Sequence, residues 1–573
     1  MGVLRRTPIA GIAVVVVLTA AGIRSSVHNE PASAGASNPS DEPSVQVEAL
    51  LPSMIQAGSL PDLRRPDFGS VRPYVENFYE YSQYRLAWFK GGRITSQALA
   101  VMAAMRNAEE KGLNAEDYDG PLWQDRAATL QGDHPAPSAA GLAGFDLGLT
   151  VCLMRFISDL HIGRINPRTL HAGFNIGPEK YDLAHFVLHR IVDAKDVDQE
   201  LEAVEPPYPG YRLARRALSA YLRLAREDNG EQLPIPAVSV RRGDHYPAVD
   251  RLVRRLRLLG DLPPEAAVPP GTAVYSPALE DAVRHFQRRH GLDPDGRLGK
   301  ATLGELNTPL SRRVLQLVLT LERWRWIPHE FSHPPVIVNI PEFQLSSLDA
   351  EGNIALTMKV VVGKAFRSET PVFAKDMKYV IFRPYWNIPT SIQRRELVPQ
   401  IRKDRDYLPK NAYEVTNSRG DVVSDGTVSD EIFEGLRRGE LSVRQRPGPK
   451  NSLGLVKFMF PNEYDVYLHG TPATELFSRS RRDFSHGCIR VEDPEKLAVW
   501  ALAEDPAWTE TRIQAAMQGA GTVQVNLERP IPVLVLYTTA VTLENGAVKF
   551  LQDIYGYDAA MEKILAKGYP YAG

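Results

Sequence analysis

The chain has 573 residues, 43% hydrophobic and 24% charged, which is the composition of folded soluble proteins and excludes a mainly disordered or polytopic membrane chain. Sixty-seven Lys plus Arg stand against 69 Asp plus Glu, a net charge of −2, so no global field points to nucleic acid as a partner. The two cysteines, Cys152 and Cys488, are too few for a disulfide framework or a four-cysteine zinc site. At roughly 150 residues per domain, the length predicts about four compact units.

The first of the predicted elements is an apolar run over Ile9 to Ile23 behind Arg5 and Arg6, which reads as a secretory signal or a short N-terminal membrane anchor over 1–23. Fifteen residues fall short of the roughly 20 that a spanning helix needs, and small residues at 19–21 offer cleavage positions, so both forms stay open. Residues 24–44 are rich in Ser, Pro, Ala and Asn and read as a flexible linker. Export would place everything downstream outside the cytoplasm, free or held by the anchor.

From 45 to 235 the periodicity is helical, as in Ser96 to Leu113, with Ser96 as its cap, and in Gly148 to Ile165. Cys152 lies in the second apolar stripe and reads as a buried, inert thiol. The aromatic cluster Phe78 to Phe89 reads as core before it reads as a groove. Residues 240–310 carry two short amphipathic helices, Val249 to Leu262 and Ser276 to Leu292, and then a turn at Asp295-Gly296. Between 240 and 313 there are 13 Lys/Arg and 9 Asp/Glu, a local surplus suited to a polymer bearing carboxylates. Leu252, Leu256, Leu259-Gly260, Ala282-Val283, Phe286-Gln287, His290-Gly291-Leu292, Asp295-Gly296, Gly299, Thr302, Leu306 and Asn307 make this stretch resemble the small three-helix peptidoglycan-binding domain.

A linker helix over Val314 to Arg325 leads into strand-like runs at Pro335 to Ile340, Ala355 to Gly363, Lys378 to Trp386 and Ile531 to Leu543, with turns at Glu351-Gly352-Asn353 and Asn545-Gly546. The spacing predicts a β-rich C-terminal unit over 334–560. Its interruption over 387–455 is polar, rich in Arg and Asp, and holds helix-like pieces; an insertion of that length in a compact domain reads as a lid.

The chemistry concentrates in His469 to Asp493. Cys488 sits on a turn after Ser485, His486 and Gly487, a setting in which a thiolate is stabilised and exposed. A histidine within reach would take the thiol proton and return it to a leaving amine, while main-chain N–H groups at Gly487 and Cys488 would hold an oxyanion. The sum is acyl transfer through a thioester. Against it stand a buried structural cysteine, a metal site of His469, His486 and Cys488, and a disulfide from Cys488 to Cys152. The polar neighbours, the unusual His-x-Cys ligand spacing and the helical setting of Cys152 disfavour these in turn. No metal or cofactor is expected.

His469-Gly470, followed by Ser485-His486-Gly487-Cys488-Ile489-Arg490, resembles the signature of the L,D-transpeptidase family, the YkuD-type catalytic domain. Leu321 to Pro328, Tyr385 to Pro389 and Leu551 to Asp558, the last as a terminal strand, resemble its large periplasmic subgroup, which has a helical scaffold, a peptidoglycan-binding domain, a capping insertion and a periplasmic setting. The fold class implied is multidomain, with an all-α scaffold and a three-helix module beside a β-rich, mixed sandwich-like catalytic domain. The resemblance implies Cys488 as nucleophile and His469 as base, then acid. It implies a backbone carbonyl near Gly470 as the orienting group, His486 and Ser485 as loop supports with Gly487, and Arg490, Trp386 and Tyr385 facing substrate. Arg490 has a plainer alternative as the ion-pair partner of Glu492 or Asp493.

The reaction so implied is formation of 3-to-3 cross-links from tetrapeptide stems with release of D-alanine, the tetrapeptides being supplied by a carboxypeptidase. Alternatives are a non-catalytic wall-binding scaffold, or the same thiol chemistry used as an L,D-carboxypeptidase or to link and unlink envelope proteins.

Overall fold

The computed structural model of the chain describes residues 43–131, 137–170, 172–174 and 181–571. The expected signal or anchor over 1–23 lies outside the described residues, as does the linker up to residue 42.

The scaffold is built around the helix Ala139–Ile162, most of which is buried. It begins well before the expected Gly148 because the Ser138 hydroxyl accepts the N–H of Gly141 at 3.1 Å and so caps it. It is long and apolar enough to cross a membrane, yet it is the centre of a globular core. Its Asp146 accepts hydrogen bonds from the Tyr79 hydroxyl and from the N–H groups of Ala87 and Trp88, and burial lifts its carboxyl to about 6. Phe78, Tyr79 and Trp88 are fully buried, which makes the aromatic cluster core. The helix Ser96–Arg106 is capped by Thr95 rather than by Ser96: the Thr95 hydroxyl accepts from Ala98 N.

The second module folds on its own small core. Leu252, Leu256, Val283, Phe286 and Leu303 converge from the helices Val249–Leu258, Pro277–Arg289 and Lys300–Leu306. The linker helix, Leu310–Trp324, starts before the expected Val314 and touches three units. Its fully buried Glu322 accepts from Ile165 N and pairs with Arg164 of the scaffold, and its Arg323 pairs with Asp558 of the C-terminal unit at 2.6 Å. Arg289 of the small module also donates to Val548 O.

The C-terminal unit is a mixed sheet of nine strands, β1 (Val336–Asn339), β2 (Gln344–Leu348), β3 (Ile354–Gly363), β4 (Phe373–Phe382), β5 (Val456–Met459), β6 (Leu468–His469), β7 (Asp483–Ser485), β8 (Ile489–Val491) and β9 (Val523–Leu536). The ladder runs β3-β8-β6-β5-β4-β9-β1-β2 and returns to β3, closing into a barrel-like ring, with β7 appended parallel to the end of β3. The β6/β8 and β9/β1 pairs are parallel; the other pairs of the ring are antiparallel. Strict alternation decides which face is core. Val456, Phe458, Leu468, Ile489 and Val491 point inward and are buried, each worth roughly 1.5–3 kcal/mol. Lys457, Met459 and Arg490 are left on the other face.

Two expectations need correction here. Strand β4 ends at Phe382, so Tyr385 and Trp386 do not continue it; the insertion starts at Arg383 rather than at residue 387. Trp386–Asn387 is instead an edge strand of the lid's own four-stranded sheet, beside Ser442–Gln445, Tyr413–Thr416 and Val422–Ser424. That sheet and the helices Val398–Lys403 and Asp430–Arg438 close over Ile401, Leu408, Val415, Leu436 and Val443, a core separate from the barrel's. The expected strand at Leu551 to Asp558 is a turn leading into the helix Tyr557–Leu565. The Asp553 carboxylate accepts from Ala559 N and from the Tyr537 hydroxyl, which spends the segment's polar groups on a helix start rather than on a ladder.

Candidate active site

The barrel's register assembles the site. Because Leu468 pairs with Ile489 and Lys457 pairs with His469, the outward residues of β5, β6 and β8 fall into rows. One row reads Lys457, His469, Arg490. Period-2 alternation puts Tyr467 on the same face as His469, and Ile489 N–H bonds to Tyr467 O, so Cys488 lies beside Tyr467, one row further on. The Tyr467 and His469 ring centroids are 5.6 Å apart.

His469 is buried, and its Nδ1 donates to Gly470 O at 2.5 Å. The carbonyl of Leu453 also reaches the ring. Burial, then Arg490, and more weakly Lys457, hold the imidazole down to about 3, so it is a neutral base at neutral pH, fixed in one tautomer by a main-chain carbonyl. Cys488 is half-buried and free. Its Sγ donates to Asp465 O at 3.6 Å, and Tyr467 lies against it, its backbone and its phenol both favouring the thiolate. Burial nevertheless leaves the thiol above its ordinary value, with the Tyr467 donors and Lys457 pulling the other way. No hydrogen bond joins the sulfur to His469 in this conformation, a common state of an empty site.

The loop that carries the sulfur is held rigidly. Ser485 Oγ donates to Cys488 O at 2.5 Å and accepts from Gly487 N at 3.2 Å. The Thr370 hydroxyl donates to Gly487 O and accepts from Gly363 N. Gly487 has φ +116°, a conformation that glycine alone adopts without strain. At Gly363 a Cβ would lie 2.1 Å from Ser368 O, so the β3 turn passes too close for any side chain. The Gly487 N–H is therefore occupied, contrary to the expectation that it helps hold an oxyanion; Cys488 N–H and the Tyr467 donors are the groups near the sulfur that remain.

His486 turns away from the sulfur, and its Nε2 meets Glu396 Oε1 of the lid at 2.6 Å. Glu396 lies in the π-helical turn Gln393–Leu397, a feature that recurs where a helix serves a site. Trp386 crosses from the lid and interacts with the Tyr467 phenol. Tyr385 is 39% exposed, with the Arg444 guanidinium 4.6 Å over its ring. Arg490 does not pair with Glu492 or Asp493, which are engaged by Lys359 and Lys496; its Nε is buried and without a partner among the described residues. Cys152 is fully buried in the scaffold and free, so the alternative disulfide is not formed. The described residues hold no cluster of three or more metal-ligating side chains.

Tyr467, Lys457, Thr370 and Glu396 escaped the sequence reading. Only Tyr467 left a signal, its two-residue spacing from His469 in a strand; the others depend on register and on the lid's path.

Comparison with known proteins decides the chemical class. Residues 334–523 match the family model described as the L,D-transpeptidase catalytic domain. The chain carries an L,D-transpeptidase catalytic domain. Residues 245–306 match a "Putative peptidoglycan binding domain" and residues 73–218 a scaffold domain. A protein of Haemophilus influenzae named "Putative L,D-transpeptidase" is 34% identical over 243 residues, which is 42% of this chain and 48% of that protein. The match thus spans about half of the curated relative's length. The L,D-transpeptidase domain holds every residue of the rows described above.

Proposed function

We propose that the protein is a cysteine L,D-transpeptidase that joins peptidoglycan stems by 3-to-3 cross-links. The single observation that carries the reading is a free thiol, Cys488, set beside Tyr467 and placed one row from a neutral, carbonyl-oriented histidine, His469.

In the proposed reaction, His469 accepts the Cys488 proton as sulfur attacks the carbonyl of the third stem residue. The C–N bond breaks, D-alanine leaves with the proton returned by His469, and a thioester remains. The side-chain amine of a diamino acid on a neighbouring stem then attacks the thioester, giving the cross-link and regenerating the thiol. Water as acceptor gives L,D-carboxypeptidase products instead, and a protein lysine gives an envelope linkage. The lid, meeting the loop at His486 and Tyr467, favours amine over water by excluding solvent. Arg490, half-buried and with its Nε unpartnered among the described residues, is suited to a stem carboxylate. The small module docks the polymer, and the N-terminal segment exports the chain to the periplasm.

The test is incubation of the purified protein with disaccharide tetrapeptides and mass analysis of the products. Dimers lacking one D-alanine are expected, together with a thioester adduct on Cys488. Dimers that persist in Cys488→Ala would overturn the mechanism.

A further inference from the structure

The mechanism above uses Cys488, His469 and Arg490 but leaves Lys457 without a task. Its amine is half-buried, enters no ion pair among the described residues, and stands 3.7 Å from the centroid of the Tyr467 ring. Register sets Tyr467 beside Cys488, since Ile489 N–H bonds to Tyr467 O, and the phenol and the thiol interact. A cation on an aromatic face draws π density toward itself, and a phenol so polarised is a stronger donor through its O–H.

We propose that Lys457 is a positioning residue that sets the reactivity of Cys488 through Tyr467, its charge strengthening the phenol hydrogen bond that stabilises the thiolate. The chain of contacts is ammonium, ring, hydroxyl, sulfur. It crosses three adjacent strands, so the register of β5, β6 and β8 is what holds it together. Trp386 of the lid also interacts with this phenol, so the lid has a hold on the same group.

The other charges that face the sulfur come from every neighbouring element. Asp465 in the preceding loop opposes the thiolate, while Arg490 of β8 favours it and is itself faced by Glu475. His469 is neutral, and His486 is held by Glu396. With the imidazole uncharged, the thiolate has no imidazolium partner before substrate arrives. Lys457 and Arg490 are the cations left to supply that field, and Lys457 alone is coupled to a hydrogen-bond donor on the sulfur.

This inference rests on Cys488 being the nucleophile, and a probe that needs no wall substrate separates the two. The rate of Cys488 alkylation by iodoacetamide is measured against pH by intact mass on the whole protein; sulfur displaces iodide, and the thiol proton goes to solvent. Lys457→Met should slow alkylation about tenfold at neutral pH and move the profile about one unit upward. Lys457→Arg should restore the rate to within roughly threefold. In a Tyr467→Phe background, Lys457→Met should add no more than about threefold further slowing, the remainder being the lysine's direct field on sulfur. The proposal is overturned if Lys457→Met leaves the profile in place, or if it still slows alkylation tenfold when Tyr467 is Phe, which would make the lysine act on sulfur directly. Thermal unfolding transitions of all variants within a few degrees of the parent identify the slowing as chemical. Normal alkylation with no cross-linking in the parent protein would count against the proposed function and leave this inference standing.

Discussion

Cys152 and Cys488 carry the same side chain into opposite surroundings. Around Cys152 the scaffold core offers Leu149, Leu153 and Phe156 and no donor to the sulfur, and burial pushes its thiol up to about 12. Around Cys488 the barrel face offers two Tyr467 donors, an ammonium and a guanidinium, against a burial that still raises the thiol. The difference is made by what lies in the neighbouring strands, not by the cysteines' own segments. A helix interior supplies its neighbours from one stripe of sequence; a sheet face collects them from residues far apart and lets polar and apolar rows alternate.

That contrast can be broken in graded ways. The largest effect is expected for Cys488→Ala, which should abolish both cross-linked product and iodoacetamide labelling of the native protein, since Cys152 is out of reach; residual labelling in the folded variant would show that Cys152 is accessible. His469→Gln should lower turnover by about 10²–10⁴-fold with little change in fold, as loss of a general base does, measured by product formation at saturating substrate. Cys152→Ser should leave turnover intact and destabilise the scaffold by about 1–3 kcal/mol, because a hydroxyl would be buried without a partner; denaturant unfolding reads the cost.

The acid response sharpens the comparison further. Burial holds His469 near 3, so between about pH 3 and 6.5 the unfolded chain binds a proton that the folded chain does not, and stability rises with pH across that window. This one group should cost on the order of 2 kcal/mol on going from pH 7 to pH 5. The fall in melting temperature between those pH values should be smaller in His469→Gln. His290 and His329, also lowered by burial, keep a remainder in place. The smallest effect is expected for Glu396→Gln. The His486 pair is half-exposed on both sides, so about 0–1 kcal/mol is at stake, and the ratio of cross-linked to hydrolysed product should move by less than about threefold.

Much of this was legible before the fold. The Cys488 loop announced itself through Ser485, His486 and Gly487, and the scaffold helix and small module through their periodicity. Legibility failed where an element's fate depends on a distant partner. Trp386 follows a run that reads as one strand, yet β4 stops at Phe382 because the chain turns off to build the lid. Leu551 to Asp558 resembles a terminal strand of the subgroup, yet it turns into the helix Tyr557–Leu565, with Asp553 accepting from Ala559 N. Lys457 is an unremarkable residue in a short run until register sets it opposite His469. Gly487 was read as an oxyanion donor because sequence cannot show that Ser485 already takes its N–H.

The lid's two ends, Phe382 and Val456, are ladder partners on adjacent strands. To the barrel, the whole cap is therefore a hairpin turn: the chain leaves and returns at one point, and the ladder below continues unbroken. A segment inserted in this way can lengthen, shrink or be exchanged without shifting a single row of the face beneath it. Under the proposed function, changes in which acceptor is admitted are thus uncoupled from the register that positions His469 and Cys488.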